Sequence, residues 1–86
     1  MEPAKVIVRP HVTEKSLMLA EKSNILTLIV AKEVNKNQIK EAVEKLFGVK
    51  AARVSTLITS TGDKKAYVKL KSEYNAVDVL SRMGVL

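Results

Sequence analysis

The stretch KKAYVKL, from Lys64 to Leu70, places cations and one aromatic ring at alternating positions. Successive side chains of a strand point to opposite faces, so Lys65, Tyr67 and Lys69 would share one face while apolar residues line the other. Ammonium groups bind phosphates, and a ring can stack on a base or pack against a ribose. The pattern favours a nucleic-acid contact, although lysines on an edge strand also protect sheets against aggregation.

The positive charge of the chain is concentrated around this stretch. The 86 residues carry a formal net charge of +6, and between Phe47 and Lys71 six cations accompany a single acid, Asp63. Such a region attracts polyanions. Arg53 and Ser55, on the neighbouring predicted strand, would share the face of Tyr67 if the register allows it. A membrane-surface role is disfavoured, because no helix combines basic residues with bulky apolar anchors.

Residues for catalysis or metal binding are sparse. The absence of cysteine excludes disulfides, thiolate metal sites and cysteine nucleophiles. The single histidine, His11, follows a proline and is typical of a turn residue. Glu41 and Glu44 are interleaved with lysines, as on a solvated helix face, and no isolated carboxylate pair is left for acid–base work. We predict no enzymatic activity, no metal, no cofactor and no small-molecule substrate.

The small number of aromatic residues limits the kind of nucleic acid that the protein can bind. The chain has two tyrosines, one phenylalanine and no tryptophan, too few to build a platform for stacking single-stranded bases. Structured RNA, bound through its shape and its phosphates, fits this composition better.

Capping signals and periodicity predict the elements that position these side chains. Thr13, Asn35 and Asn75 are expected to cap three helices, Gln38 completes a capping box with Asn35, and Gly48 suits a left-handed helix end. Strands are predicted over Lys5–Arg9, Ile25–Ala31, Val49–Thr59 and Lys64–Lys71.

The order of these elements predicts an α+β fold, β-α-β-α-β-β-α, in a single domain over residues 1–86. The four-residue connection STGD makes the last two strands a hairpin. The final strand would lie between the two parallel strands of a split β-α-β unit, in a four-stranded, mostly antiparallel sheet. Apolar residues on both faces of Ile25–Ala31 indicate helices on both faces of that sheet. The longest apolar run is too short to span a bilayer, so we expect a soluble, cytoplasmic protein without membrane insertion.

Three separated motifs resemble the large-subunit ribosomal protein twenty-three family. They are RPHVTEKS from Arg9, AKEVNKNQIKEAVEKLFGVK from Ala31, and KKAYVKL followed by Val79. The resemblance implies a structural constituent of the large ribosomal subunit that binds large-subunit rRNA beside the polypeptide exit tunnel. It also implies large-subunit protein twenty-nine as a neighbour, and a docking platform for signal recognition particle. The short STGD connection replaces the long tunnel-reaching loop of bacterial members, so the form is archaeal-like and no tunnel-lining loop is expected.

The resemblance implies a role for Glu14, and the residue types themselves suggest the roles of the others. Glu14 matches the glutamate through which bacterial members dock a chaperone, and here signal recognition particle is the expected client. Tyr67 would pack against the RNA, and His11 would add a polar contact. The remaining expected rRNA-binding residues, which would neutralise phosphates, are Arg9, Lys50, Arg53, Lys64, Lys65, Lys69 and Lys71.

An alternative hypothesis treats the chain as a small α+β regulatory or assembly module. Its lysines would then only protect a sheet edge, and the protein would form a defined oligomer or bind a metabolite. Such a module should not bind RNA at physiological salt concentration.

Overall fold

The computed structural model describes residues 2–85. Its elements follow the predicted order with one addition at the start. They are α1 (Pro3–Val6), β1 (Ile7–Pro10), α2 (Glu14–Ser23), β2 (Ile25–Val30), α3 (Lys36–Phe47), β3 (Ala51–Ile58), β4 (Lys64–Leu70) and α4 (Ala76–Arg82).

The first strand differs from its prediction. A strand was expected over Lys5–Arg9, but Lys5 and Val6 lie in the short helix α1 and the strand starts at Ile7. Pro3 stands in the first turn of α1, where its fixed φ favours a helix and its missing N–H is not needed. Pro10 ends β1 on the outer edge of the sheet, where a residue without an N–H is tolerated.

The four strands form one sheet in the order β1-β2-β4-β3, and every neighbouring pair is antiparallel. Strand β4 therefore separates β2 from β3, which run in the same direction without touching. This arrangement confirms the split β-α-β sheet. The α+β class is confirmed with it.

Most of the core lies on one face of the sheet. Leu26, Leu28 and Val30 of β2 meet Ala66, Val68 and Leu70 of β4 there, under buried residues of α3 and α4 such as Ile39, Val43 and Val79. Helix α2 packs against β2 and α4. Its Ser16 and Leu19 border a crevice with Thr27 and Tyr67, which belong to the opposite face. That second face is therefore covered only on its β2 side.

The capping predictions are confirmed. The side chain of Thr13 accepts a hydrogen bond from the amide of Ser16, and that of Asn35 accepts one from Gln38. Asn75 caps the first turn of α4, and Gly48 ends α3 with φ at 65°. These contacts join residues only two or three positions apart, which explains why the sequence reveals them.

None of the helices within residues 2–85 has the length and apolarity to cross a bilayer. No group of three or more His, Cys, Asp or Glu side chains in that range is arranged to hold a metal ion.

Candidate nucleic-acid interface

The register of the hairpin gathers basic side chains on the face of the sheet opposite the main core. Arg53 is paired with Lys69, Ser55 with Tyr67, and Leu57 with Lys65. Side chains of directly paired residues lie on the same face, so Arg53 and Ser55 do join the tyrosine. We call this surface the basic face. It consists of Arg53, Ser55, Leu57, Lys65, Tyr67, Lys69, Arg9 and His11.

Strand β4 separates its side chains between core and basic face as its alternation predicts. Ala66, Val68 and Leu70 are buried in the core, at no more than 1% exposure. Lys65, Tyr67 and Lys69 are half-buried on the other side.

The N-terminal segment extends the basic face across β2. Arg9 is paired with Ile29, which in turn is paired with Lys65, so both cations flank this buried isoleucine. The amide of His11 donates to the carbonyl of Thr27 at 3.0 Å, one residue beyond β1. His11, Thr27 and Tyr67 therefore follow one another across the sheet.

The charges around His11 are mainly positive. Burial lowers the pKa of His11 below its ordinary value of 6.5, and the charges of Lys65 and Arg9 lower that pKa further. Asp63 acts in the opposite direction. It lies in the β3–β4 turn, with a carboxylate oxygen 3.8 Å from an Arg9 guanidinium nitrogen. The side chains of Arg9 and Asp63 are both about half exposed, so water weakens this pair.

Lys64 does not belong to the basic face. It is paired with Val30 and Ile58, and its ammonium group donates to the backbone carbonyls of Val34 and, at 3.4 Å, Lys32. This contact fixes the loop between β2 and α3, whereas the phosphate contact expected of Lys64 remains a prediction. Because neighbouring residues of a strand face opposite sides, Lys64 and Lys65 cannot share one surface.

The other predicted cations lie at one end of the sheet. The ammonium group of Lys69 donates to the carbonyl of Ser23, at the C-terminus of α2, where the helix dipole favours a cation. Lys50 and Lys71 are exposed beyond the ends of β3 and β4, joined by a hydrogen bond from the Lys71 amide to the Lys50 carbonyl at 2.9 Å. Both are accessible to a polyanion, and so is the exposed Arg53.

Thr27 is a residue of this region that the sequence analysis did not assign. It is 3% exposed on the side of β2 that faces Tyr67, and its crevice is also lined by Lys15, which was equally unassigned. The available signal was one hydroxyl inside the apolar run ILTLIVA.

Glu14 lies on helix α2 and not on the strands that carry the basic face. It is an exposed residue in the first turn of α2, where the helix dipole favours an acid. Met18 follows it by one helical turn and is 51% exposed. Glu14 and Met18 line a groove together with Lys15, Leu19 and Lys22, so this surface of α2 has mixed charge and adjoins the crevice of the basic face.

Comparison with known proteins identifies the family. A sequence model described as ribosomal protein L23 matches residues 5–77, most of the chain. The chain belongs to the ribosomal protein L23 family. A large ribosomal subunit protein uL23 of Pyrobaculum aerophilum is 58% identical to it over 81 residues, which is 94% of this chain and all of that protein. A protein of the same name from Caldivirga maquilingensis is 50% identical over 86 residues, the full length of both chains.

These relatives confirm the archaeal-type L23 resemblance seen in the three motifs. Membership of the L23 family supports a structural role in the ribosome, and the protein is not an enzyme. It therefore favours the ribosomal hypothesis over a regulatory module. The residue-level contacts assigned above remain predictions.

Proposed function

We propose that this L23-family protein binds folded large-subunit rRNA through the basic face. Arg9, Arg53 and Lys65 would neutralise phosphates, with Lys50 and Lys71 extending the contact beyond the end of the sheet. Tyr67 would pack against a ribose or base, and His11 would add a polar contact beside it. The site of action is then the ribosome in the cytoplasm.

One observation carries this proposal: the strand register places cations from β1, β3 and β4 on a single face. Strand β1 is more than 40 residues away in the sequence from the β3–β4 hairpin, and only the folded sheet brings their cations together. Lysines that only protect an edge strand need not be joined by cations from other strands. Moreover, β4, which carries Lys65 and Lys69, lies inside the sheet and not at its edge. Edge protection therefore cannot explain these two lysines.

The proposal is tested by titrating the protein with a large-subunit rRNA fragment and with an unrelated folded RNA of equal length. We expect a preference for the ribosomal fragment that persists near 0.15 M salt. The logarithm of the affinity should fall with the logarithm of the salt concentration, by roughly 0.7 to 0.9 per phosphate neutralised. Equal binding to both RNAs would mean that the surface is a generic polyanion site.

Lys64 and Lys65 provide a matched pair of substitutions. Lys65→Ala should weaken binding roughly fivefold near 0.15 M salt and flatten the salt slope by about one unit, because one phosphate contact is lost. Lys64→Ala should leave that slope unchanged and lower the free energy of unfolding by about 1 kcal/mol, because two loop carbonyls lose a charged donor. Equal effects of both variants on RNA binding would contradict the assignment of faces.

Binding should also depend on the protonation of His11. The lowered pKa keeps His11 neutral in the free protein at pH 7, whereas a neighbouring phosphate favours the imidazolium form. Binding is then coupled to proton uptake, so affinity should rise about 3- to 10-fold as the pH falls from 7.5 to 5.5. His11→Gln should remove this increase. A pH profile shared by both proteins would mean that RNA binding is not coupled to the protonation of His11.

We further propose that the protein lies beside the polypeptide exit tunnel, next to large-subunit protein twenty-nine, and contributes to the docking platform for signal recognition particle. Glu14 and Met18 are the residues that suit this second contact. Both are exposed on α2, and an acid among bound phosphates would be unfavourable. RNA and docking factor would thus use different surfaces of one small domain.

Glu14→Ala is expected to weaken the binding of signal recognition particle to ribosomes that carry the variant several-fold, while leaving rRNA binding unchanged. Glu33→Ala, which removes another exposed acid, serves as the control. Binding of labelled particle to purified ribosomes measures the effect. Unchanged binding with Glu14→Ala would place the docking contact elsewhere.

A further inference from the structure

A small crevice opens on the basic face between α2 and the sheet. It has a volume of about 20 Å³ and is lined by His11, Thr13, Lys15, Ser16, Leu19, Thr27, Lys65 and Tyr67. A space of this size admits one group of the size of a water molecule and excludes a base or a whole phosphate. Its borders include the tyrosine, the histidine and one lysine of the proposed RNA contact.

The hydroxyl of Thr27 is the unusual feature of this crevice. Thr27 is 3% exposed, and its Oγ1 atom has no hydrogen-bond partner among residues 2–85. Buried hydroxyls are normally paired, so an unpaired one calls for a partner from outside the chain. Two neighbouring polar side chains are already engaged, because Thr13 and Ser16 bond within the capping box of α2. Among the described residues that line the crevice, Thr27 is thus the one with a buried and unpaired polar atom.

We propose that this crevice receives a ribose 2′-hydroxyl of the bound RNA. The inference rests on the proposed RNA binding by the basic face. A hydroxyl both donates and accepts, as does Thr27 Oγ1, and it has the size of the group that the crevice admits. The Oγ1 atom has almost no accessible surface in the free protein, so the side chains that line the crevice must move apart slightly to let the 2′-hydroxyl reach it. A ribose held there would lie against the ring of Tyr67, with its phosphates near Lys65 and Arg9. The 2′-hydroxyl is the group that distinguishes RNA from DNA at such a contact.

The test uses an rRNA fragment in which 2′-deoxy nucleotides, each marked by a cleavable phosphorothioate, replace single positions at random. Bound and free RNA are separated and cleaved, which shows where a missing 2′-hydroxyl impairs binding. With the wild-type protein, we expect at least one position where the deoxy nucleotide is depleted from the bound pool about 2- to 10-fold, the effect of one hydrogen bond.

Thr27→Val keeps the shape of the side chain and removes its hydroxyl. With this variant the depletion should disappear at one position and persist at the others, while Thr27→Ser should restore it. Thr56→Val, a half-buried threonine on the opposite face of the sheet, is the matched control and should change no position. Thermal melting checks folding, and Thr27→Val should melt no lower than the wild type, because an unpaired buried hydroxyl is removed.

The outcomes separate the two proposals. If the wild-type protein does not bind the fragment, the proposed function fails. If it binds and Thr27→Val shows the same pattern of 2′-deoxy interference as the wild type, RNA binding stands and the 2′-hydroxyl site is overturned.

Discussion

Replacing Arg9, Arg53 and Lys65 together by alanine is expected to weaken binding to the rRNA fragment roughly a hundredfold near 0.15 M salt. Each lost phosphate contact reduces counterion release, which is worth roughly a factor of five at this ionic strength. The salt slope should become shallower by about two to three units. The three residues come from β1, β3 and β4, so the variant tests the surface that the sheet register creates.

A second triple variant separates the position of the charges from their number. Lys36, Lys40 and Lys45 are exposed on α3, whose buried residues pack into the core on the other face of the sheet. Replacing these three lysines by alanine removes the same number of positive charges as the first variant does. We expect this variant to change the affinity by less than about threefold, because charges outside the contact act only through the screened long-range field. Equal losses in both triple variants would show that net charge, and not the basic face, governs binding.

Asn24→Ala is expected to lower the free energy of unfolding by about 3 kcal/mol. The Asn24 side-chain amide nitrogen donates to the carbonyl of Tyr74 at 2.8 Å, and its oxygen accepts from the amide of Ala76 at 2.8 Å. Ala76 is buried, so its amide would lose its partner, at a cost of about 1–3 kcal/mol. Asn24 also has φ at 56°, a left-handed conformation that costs alanine about 1–2 kcal/mol.

Asn24→Gly separates the loss of the side-chain hydrogen bonds from the strain of the left-handed backbone conformation. Glycine adopts the left-handed conformation without strain but makes neither side-chain bond. Asn24→Gly should therefore destabilise the protein less than Asn24→Ala does. Its free energy of unfolding should still be lower than that of the wild type. Urea unfolding measures both variants. A free energy of unfolding within about 0.5 kcal/mol of the wild type for Asn24→Ala would mean that this side chain does not hold α4 to the sheet.

Asn24 also illustrates why part of the structure was not predictable. The sequence places it at the end of the first long helix, where asparagine in a left-handed conformation is common. Its contact with Ala76 joins residues 52 positions apart. No local sequence pattern predicts this hydrogen bond, because it forms only when β2, β4 and α4 are packed together. The place of Asn24 at the helix end is a local feature, whereas its role in joining α2 to α4 depends on the tertiary structure.

In the candidate interface, too, some features were predictable from the sequence and others were not. Alternation in KKAYVKL separated Lys65, Tyr67 and Lys69 from the apolar residues correctly, because the side-chain period of a strand is local. It also placed Lys64 on the opposite side, yet charge alone grouped that residue with the phosphate ligands. Only the packed loop after β2 shows that the Lys64 ammonium group bonds to backbone carbonyls.

The sequence by itself determined the order of the elements after α1, three helix caps, the short hairpin and the family. Each of these depends on residues a few positions apart or on motifs read directly from the chain. The tertiary structure decided which side chains meet: Arg53 beside Lys69, Arg9 beside Ile29, and Thr27 in a crevice under Tyr67. These meetings depend on strand register and helix placement, which are fixed by the whole core together and not by any one segment.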